Sequence, residues 1–371
     1  MYRDFNFLSC IAILIVFLCN CSSQENKVNR NRLPEEIDSL FKLTNFNDIF
    51  FLEKIELQYS DSSIISRIST ATCVDENGMI YVGQSNSCHV LVFDGNGKFV
   101  RRIGKKGKGP GELLEVNSID VRHGKVYVLG DLNVSIFTEK GDFLKRFQYG
   151  NEFAPHIHTT SDGKIIIFYT YAMTNKMCEV FDGEGNLLKR WGEFPKESRT
   201  SYGGRVSSAV DDHNNVYSIN FYDKSVFKFD INGKLLTRFP NVKPFIEHDI
   251  SRIANANNPK DVFLRTLEGT IMEGVYRLKF KNYGLIIVET VKIDPAEMKF
   301  ESRNIHIFNE EGRFIKNISI PKNLNIIHAN KKDLYATYQD GKTNKESFDD
   351  SKNPLIVRIS LRDSLTQNDL N

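Results

Sequence analysis

The chain has 371 residues and a formal net charge of +2, with 49 Lys and Arg interspersed among 47 Asp and Glu. That balance excludes the basic footprint of a nucleic-acid-binding domain. No Pro-, Ser- or Gly-rich linker interrupts the body, so the length reads as one domain of the repeat or barrel-like β kind.

The predicted elements begin with an export signal. Arg3 precedes an apolar core, Ile11-Ala12-Ile13-Leu14-Ile15-Val16-Phe17-Leu18, which is too short to span a bilayer and has the length of a signal h-region. It runs into Leu18-Cys19-Asn20-Cys21-Ser22-Ser23. This segment resembles a bacterial lipoprotein box with Cys21 as the acylated residue and Asn20 where Gly, Ala or Ser is usual. The resemblance implies a signal peptide over residues 1–21 and acyl chains on Cys21 that hold the mature protein at a membrane without a transmembrane helix. A polar tether over residues 22–49 would follow.

Five phrases with one grammar come next. Each has a short hydrophobic strand ending in Phe, an acidic or polar turn with Gly, and a strand of basic and apolar residues. They are centred on Phe93, Phe137, Phe181, Phe229 and Phe308, at steps of 44, 44, 48 and 79 residues. The first reads Val-Leu-Val-Phe-Asp-Gly-Asn-Gly-Lys-Phe-Val-Arg-Arg from Val90 to Arg102. Asp-Gly and Asn-Gly supply the positive φ that tight hairpins need. Upstream of the first four Phe residues lies a second short strand: Met79 to Val82, Gly124 to Val128, Asp162 to Ile167 and Asn214 to Ser218. A sequential antiparallel meander repeated every ~40–50 residues is the signature of propeller blades.

The longest step holds one unit, Gly274 to Lys316, preceded by a long connection from Asn241 to Met272. A last unit has strands at Leu334 to Tyr338 and Leu355 to Ile359, separated by the polar loop Gln339 to Asn353. The count is six blades, or seven if Asn241 to Met272 hides a partial one. An open ring would leave bare sheet edges. Phe51 to Leu57 has strand character, lies ahead of the first unit, and is expected to close the ring by pairing with Leu355 to Ile359. The fold class is therefore all-β, a propeller over residues 50–361 with a short tail at 362–371.

Between the first two units, Arg101, Arg102, Lys105, Lys106 and Lys108 gather beside Gly107, Gly109 and Gly111. Neither the phosphate-loop spacing nor a strand-to-helix context is present, so this reads as a solvated blade connection. Its Gly109-Pro110-Gly111-Glu112 core resembles the blade connection of NHL-type propellers. With the Ile-Tyr-Val phrase at Ile80 and the Val-Phe-Asp phrase at Val92, the chain from Phe51 to Ser360 is similar to the six-bladed lipoproteins of the NHL/TolB-like type found in Bacteroidetes-type bacteria. The resemblance implies a scaffold in the cell envelope, at the outer membrane, rather than an activity, since that broad group includes binding proteins and a few enzymes.

Signal cleavage would leave Cys73, Cys88 and Cys178. An odd number argues against a disulfide framework, so buried thiols are expected, with a Cys73–Cys88 bridge as the alternative.

Long connections on one face are expected to carry the ligand-binding residues: His156, His158, Tyr202, Arg205, Tyr222 and His248, with the run Asp294 to Arg303 beside them. His156 and His158 put two rings on one side of a strand, as metal ligands require. The histidines do not recur at one blade position, however, and no Gly-x-Ser-x-Gly elbow occurs. No cofactor, metal or catalytic residue is assigned. The expected function is a lipid-anchored, non-catalytic binding module for a protein, peptide or glycan, with no nucleic-acid partner. The alternatives are a lyase or hydrolase using a metal at the channel mouth, and a structural subunit of an envelope complex.

Overall fold

The computed structural model describes residues 45–58, 65, 68, 71–150, 154–169, 176–192, 206–220, 225–239, 269–280, 283–294, 299–338 and 354–362. They form six four-stranded antiparallel sheets and a small parallel bridge, Lys105–Lys106 with Glu112–Leu113. Blade 1 runs from the inner strand Thr72–Val74 to the outer strand Phe99–Ile103, blade 2 from Ser118–Arg122 to Phe143–Gln148, and blade 3 from His156–Thr159 to Leu187–Trp191. Blade 4 runs from Val206–Val210 to Leu235–Arg238, and blade 5 from Gly269–Phe280 to Phe314–Ile320. Blade 6 comprises Leu324–Ala329, Asp333–Tyr338, Leu355–Leu361 and, outermost, Phe50–Glu56. Each inner strand touches that of the next blade, and the sixth touches the first, so the ring is closed.

The structure has six blades, not seven. Blade 5 starts at Gly269, so the last residues of the expected connection Asn241 to Met272 are strand; residues 241–268 lie outside the described residues. Phe50–Glu56 is the closing strand: its register with blade 6 runs from Phe50 opposite Leu361 to Glu56 opposite Leu355. Backbone bonds from Arg362 N–H to Ile49 O (3.1 Å) and from Leu57 N–H to Pro354 O (2.9 Å) fasten both ends of that pair. Before the strand, one helical turn, Phe46–Ile49, buries Phe46 and Ile49 in a core shared with Phe280, Ile318, Ile320 and Leu361.

The recurring hairpin has a specific local cause. In blade 1, Asp94 Oδ1 accepts from the amides of Asn96 and Lys98, both at 2.9 Å, and Gly97 takes φ +82. The same double acceptance recurs at Asp182 and Asp230. The register shifts at Val92/Phe93, as it does at the equivalent Phe of blades 2 to 5. This is a type I turn closed by a glycine bulge. The glycine with positive φ is therefore Gly97, not the Gly95 that follows Asp94.

The phrase also joins blades. At three joints an aromatic at the end of one outer strand meets the repeat Phe of the next blade: Phe147 with Phe181 at 5.2 Å, Trp191 with Phe229 at 5.2 Å, and Phe239 with Phe308 at 5.3 Å between ring centroids. Such pairs add about 0.5–1.5 kcal/mol each beyond the area they bury. The bulge glycine faces the same partner, because a Cβ built at Gly233 would lie 2.4 Å from Trp191 Cγ. Basic residues of the outer strands span the joints too: Arg101 donates to the Glu139 carbonyl, and Lys145 meets Glu184 at 2.7 Å. Cys73, Cys88 and Cys178 are buried free thiols, and no Cys73–Cys88 bridge forms.

Candidate functional site

Strand register places one residue of each inner strand opposite the centre of its neighbour: Cys73 opposite Tyr81, Asp120 opposite Tyr127, and His158 opposite Ile166. Ala209 opposite Tyr217, Tyr276 opposite Ile287 and His328 opposite Tyr335 complete the set. Inner strands border the central channel, so these positions form one layer of its wall. All but Ala209 reach the inner strand of the following blade. The Val121 backbone meets Cys73, and Asp120 Oδ2 accepts from the Thr159 amide (2.5 Å) and hydroxyl (2.6 Å). His158 Nε2 lies 2.9 Å from Ser208 Oγ, the Tyr276 hydroxyl donates to the Ile326 carbonyl (2.9 Å), and His328 Nε2 donates to the Val74 carbonyl (3.2 Å). Two residues earlier on the strands of blades 2 and 4, Ser118 Oγ and Ser207 Oγ accept from the Ile157 and Val275 amides at 3.3 and 3.0 Å.

Burial pushes His158 down to about 4, helped by the Arg122 guanidinium and opposed by the Ser208 contact. Burial also takes His328 to about 4, against the opposing Asp120 carboxylate and Val74 carbonyl. Burial first, and Asp120 second, hold the Cys73 thiol well above its usual range. At neutral pH the layer thus presents two neutral imidazoles already engaged with neighbours and a protonated thiol. That set suits neither a nucleophile, which needs thiolate, nor a general base poised near 7. Among the described residues, no group of three or more His, Cys, Asp or Glu is placed to hold a metal ion.

The same titrations set the pH response. His306, fully buried and 2.9 Å from Thr290 Oγ1, is also pushed down to about 4 by burial. An unfolded histidine titrates near 6.5. Between pH 6.5 and 4 the unfolded chain therefore binds more protons, and stability falls as pH is lowered through that window. Each ring costs up to about 2 kcal/mol at pH 5, less for His158 and His328, which keep some surface open to the channel. Thermal unfolding followed at pH 7.5 and pH 5 should show a lower midpoint at pH 5, with the gap reduced in His306→Gln; equal midpoints would refute this.

One end of the channel is crossed by ion pairs. Lys331, in the first turn of blade 6, lies 2.7 Å from Glu76 of blade 1 and 3.3 Å from Asp212 of blade 4. Blades 1 and 4 stand opposite each other in a ring of six, so a side chain that touches both bridges that mouth. Arg277 of blade 5 braces the same cluster against Asp212 (3.1 Å) and Glu310 (2.8 Å). This is the end of the short turns. The connections between blades leave from the other end, as antiparallel meanders require.

His156 and His158 lie on the inner strand of blade 3, not on a long connection, and His158 meets Ser208 in the layer described above. Likewise Lys299 to Arg303 belong to a strand of blade 5. Tyr202, Arg205, Tyr222, His248 and Cys21 lie outside the described residues. The expectation that histidines share no blade position is corrected by His158 and His328, which are equivalent. The sequence reading also missed Cys73, Asp120 and Tyr276. Aligning the second strands on Tyr81, Tyr127 and Tyr335 and reading back to the inner strand would have found most of them. Among the described residues no helix is long and apolar enough to cross a membrane.

A family model described as a domain of unknown function, DUF4934, matches residues 36–240. No curated protein matches the chain. Among solved structures, a protein of Bacteroides fragilis described as exported is 13% identical with a TM-score of 0.61, over 86% of this chain and 97% of that one. A member of the duf4221 family from Bacteroides vulgatus is 12% identical with a TM-score of 0.59, over 85% of this chain and 98% of that one. These likenesses concern the fold alone.

Proposed function

The chain belongs to the DUF4934 family of domains of unknown function, and from that premise we propose that it is an exported, lipid-anchored propeller of the NHL/TolB-like type that binds a protein, peptide or glycan without chemistry. The observation that carries the reading is the use made of the channel layer. Asp120, His158, Tyr276 and His328 are engaged in holding successive blades together. A catalytic propeller instead needs side chains from several blades converging on an open position for substrate or water. With Lys331 bridging one mouth, the face left for recognition is that of the long connections, where Tyr202, Arg205, Tyr222 and His248 fall in the sequence. The export address rests on Arg3 and the Ile11 to Leu18 core, and the anchor on Cys21. Ligand-shift screening of the purified chain with peptides, oligosaccharides and divalent metals tests the reading: a rise in Tm is expected from a peptide or oligosaccharide and not from a metal.

A further inference from the structure

The connection between blades 1 and 2 is braced from three sides. Lys105–Lys106 pairs in parallel with Glu112–Leu113, and the Gly107 amide donates to the Leu113 carbonyl at 3.0 Å. The Glu112 carboxylate accepts from the Gly109 amide at 2.8 Å, which with Lys105 holds it below the usual carboxylate range. From the neighbouring blade, Arg146 donates to the carbonyls of Lys108 (3.3 Å) and Glu112. On this fixed platform the side chains of Lys105, Lys106 and Lys108 are exposed, with that of Lys105 75% accessible. Lys105 meets Glu112 at 3.3 Å, whereas Lys106 and Lys108 form no ion pair among the described residues. Arg102 is exposed beside them. A chain whose net charge is only +2 thus concentrates three cations and one carboxylate on a single turn, with a fourth cation at the end of the strand that leads into it.

We infer that this turn docks the blade 1 and blade 2 side of the ring on an anionic lipid surface. That side lies across the ring from the blade 3 to blade 5 segments that carry Tyr202, Arg205, Tyr222 and His248 in the sequence. Three ammonium groups within about 10 Å of extended chain lie close to one Debye length at physiological salt, so they act together. Lysine is a hydrated point charge without the fork that reads a single carboxylate or phosphate. The lysine side chains are also exposed, whereas small-molecule sites are concave and bury most of their ligand. Both features suit a broad negative surface rather than one bound group. The choice of a bilayer over another polyanion rests on the lipid-anchor reading, because an anchored chain meets its own membrane at high effective concentration. Beside an acyl anchor, each Lys or Arg of a basic patch near an anionic surface adds to the binding that the chains supply.

The test uses the chain from residue 21 onward with Cys21→Ser, so that no acyl group contributes and the docking turn is assayed whether or not Cys21 is acylated. Co-sedimentation with neutral phosphatidylcholine vesicles and with vesicles containing phosphatidylglycerol is measured at low and high salt. The expected result is binding to the anionic vesicles only, lost at high salt. It should be weakened on the order of 100-fold in a Lys105→Glu, Lys106→Glu, Lys108→Glu variant whose Tm is unchanged. Lys140→Glu, on another turn, is the control and should bind like the parent chain. Failure of the parent chain to bind anionic vesicles, or equal binding by the triple variant, would overturn the inference. So would retention on an acidic oligosaccharide resin without vesicle binding.

Discussion

Gly233→Ala should destabilise the protein more than Gly163→Ala, by about 1–3 kcal/mol. The two glycines have nearly the same backbone, φ +82 and +83, so each substitution carries the left-handed cost of an L-residue, about 1 kcal/mol. They differ in what a Cβ would meet. Nothing lies within 4 Å at Gly163, whereas at Gly233 the new atom falls 2.4 to 2.7 Å from Trp191 Cγ, Cβ and Cδ2. Trp191 is buried and leans on Phe229 and Phe168, so it has little room to move aside. Chemical denaturation of both variants gives the difference directly. Repeating Gly233→Ala in a Trp191→Leu background should recover the excess and leave the backbone part. Equal losses at the two glycines would show that the repeat glycine serves its turn alone.

The larger effect is expected at the closing strand. Deleting residues through Glu56 strips blade 6 of a seven-residue ladder and bares the edge from Leu355 to Leu361. It also removes Ile49, Phe50 and Ile55, each at most 3% exposed. Loss of one such side chain costs ~2–5 kcal/mol, and whole domains are stable by only ~5–15 kcal/mol. The truncated chain should therefore lose its cooperative thermal transition, and its bare edge should drive aggregation. The single change Ile55→Asp should lower the transition markedly without abolishing it. A truncated chain melting like the full-length protein would refute the closure account. The strand is also the route by which an anchor on Cys21 would connect to the ring, so that any pull on the anchor bears on this ladder.

The ring was legible in the sequence for a physical reason: every blade solves the same packing problem, so Phe93, Phe137, Phe181, Phe229 and Phe308 recur with their turns. Closure was legible too, because Phe51 to Leu57 had strand character and no unit of its own. The meaning of the glycines was less so. Turn chemistry explains Gly97 and Gly233 from local sequence, but their packing against Glu56 and Trp191 depends on the neighbouring blade. The channel layer was hidden for the opposite reason. Cys73, Asp120, His158, Ala209, Tyr276 and His328 share a position but, apart from the two histidines, no chemistry, and Ala209 does not reach the next strand at all. A pattern search sees five residue types at six positions there, and only the register makes them one layer.

The central claim is that the channel layer holds the ring and that recognition belongs to the long connections. Ligand-shift screening of the parent chain, His158→Gln, and Tyr202→Ala with Arg205→Ala tests it most directly. The account predicts a peptide or oligosaccharide whose Tm shift is the same in the parent chain and in His158→Gln, even though the variant itself melts lower. That shift should be absent in the Tyr202 and Arg205 variant. A shift given instead by a divalent metal, present in the parent chain and lost in His158→Gln, would contradict the account and make the layer a metal centre.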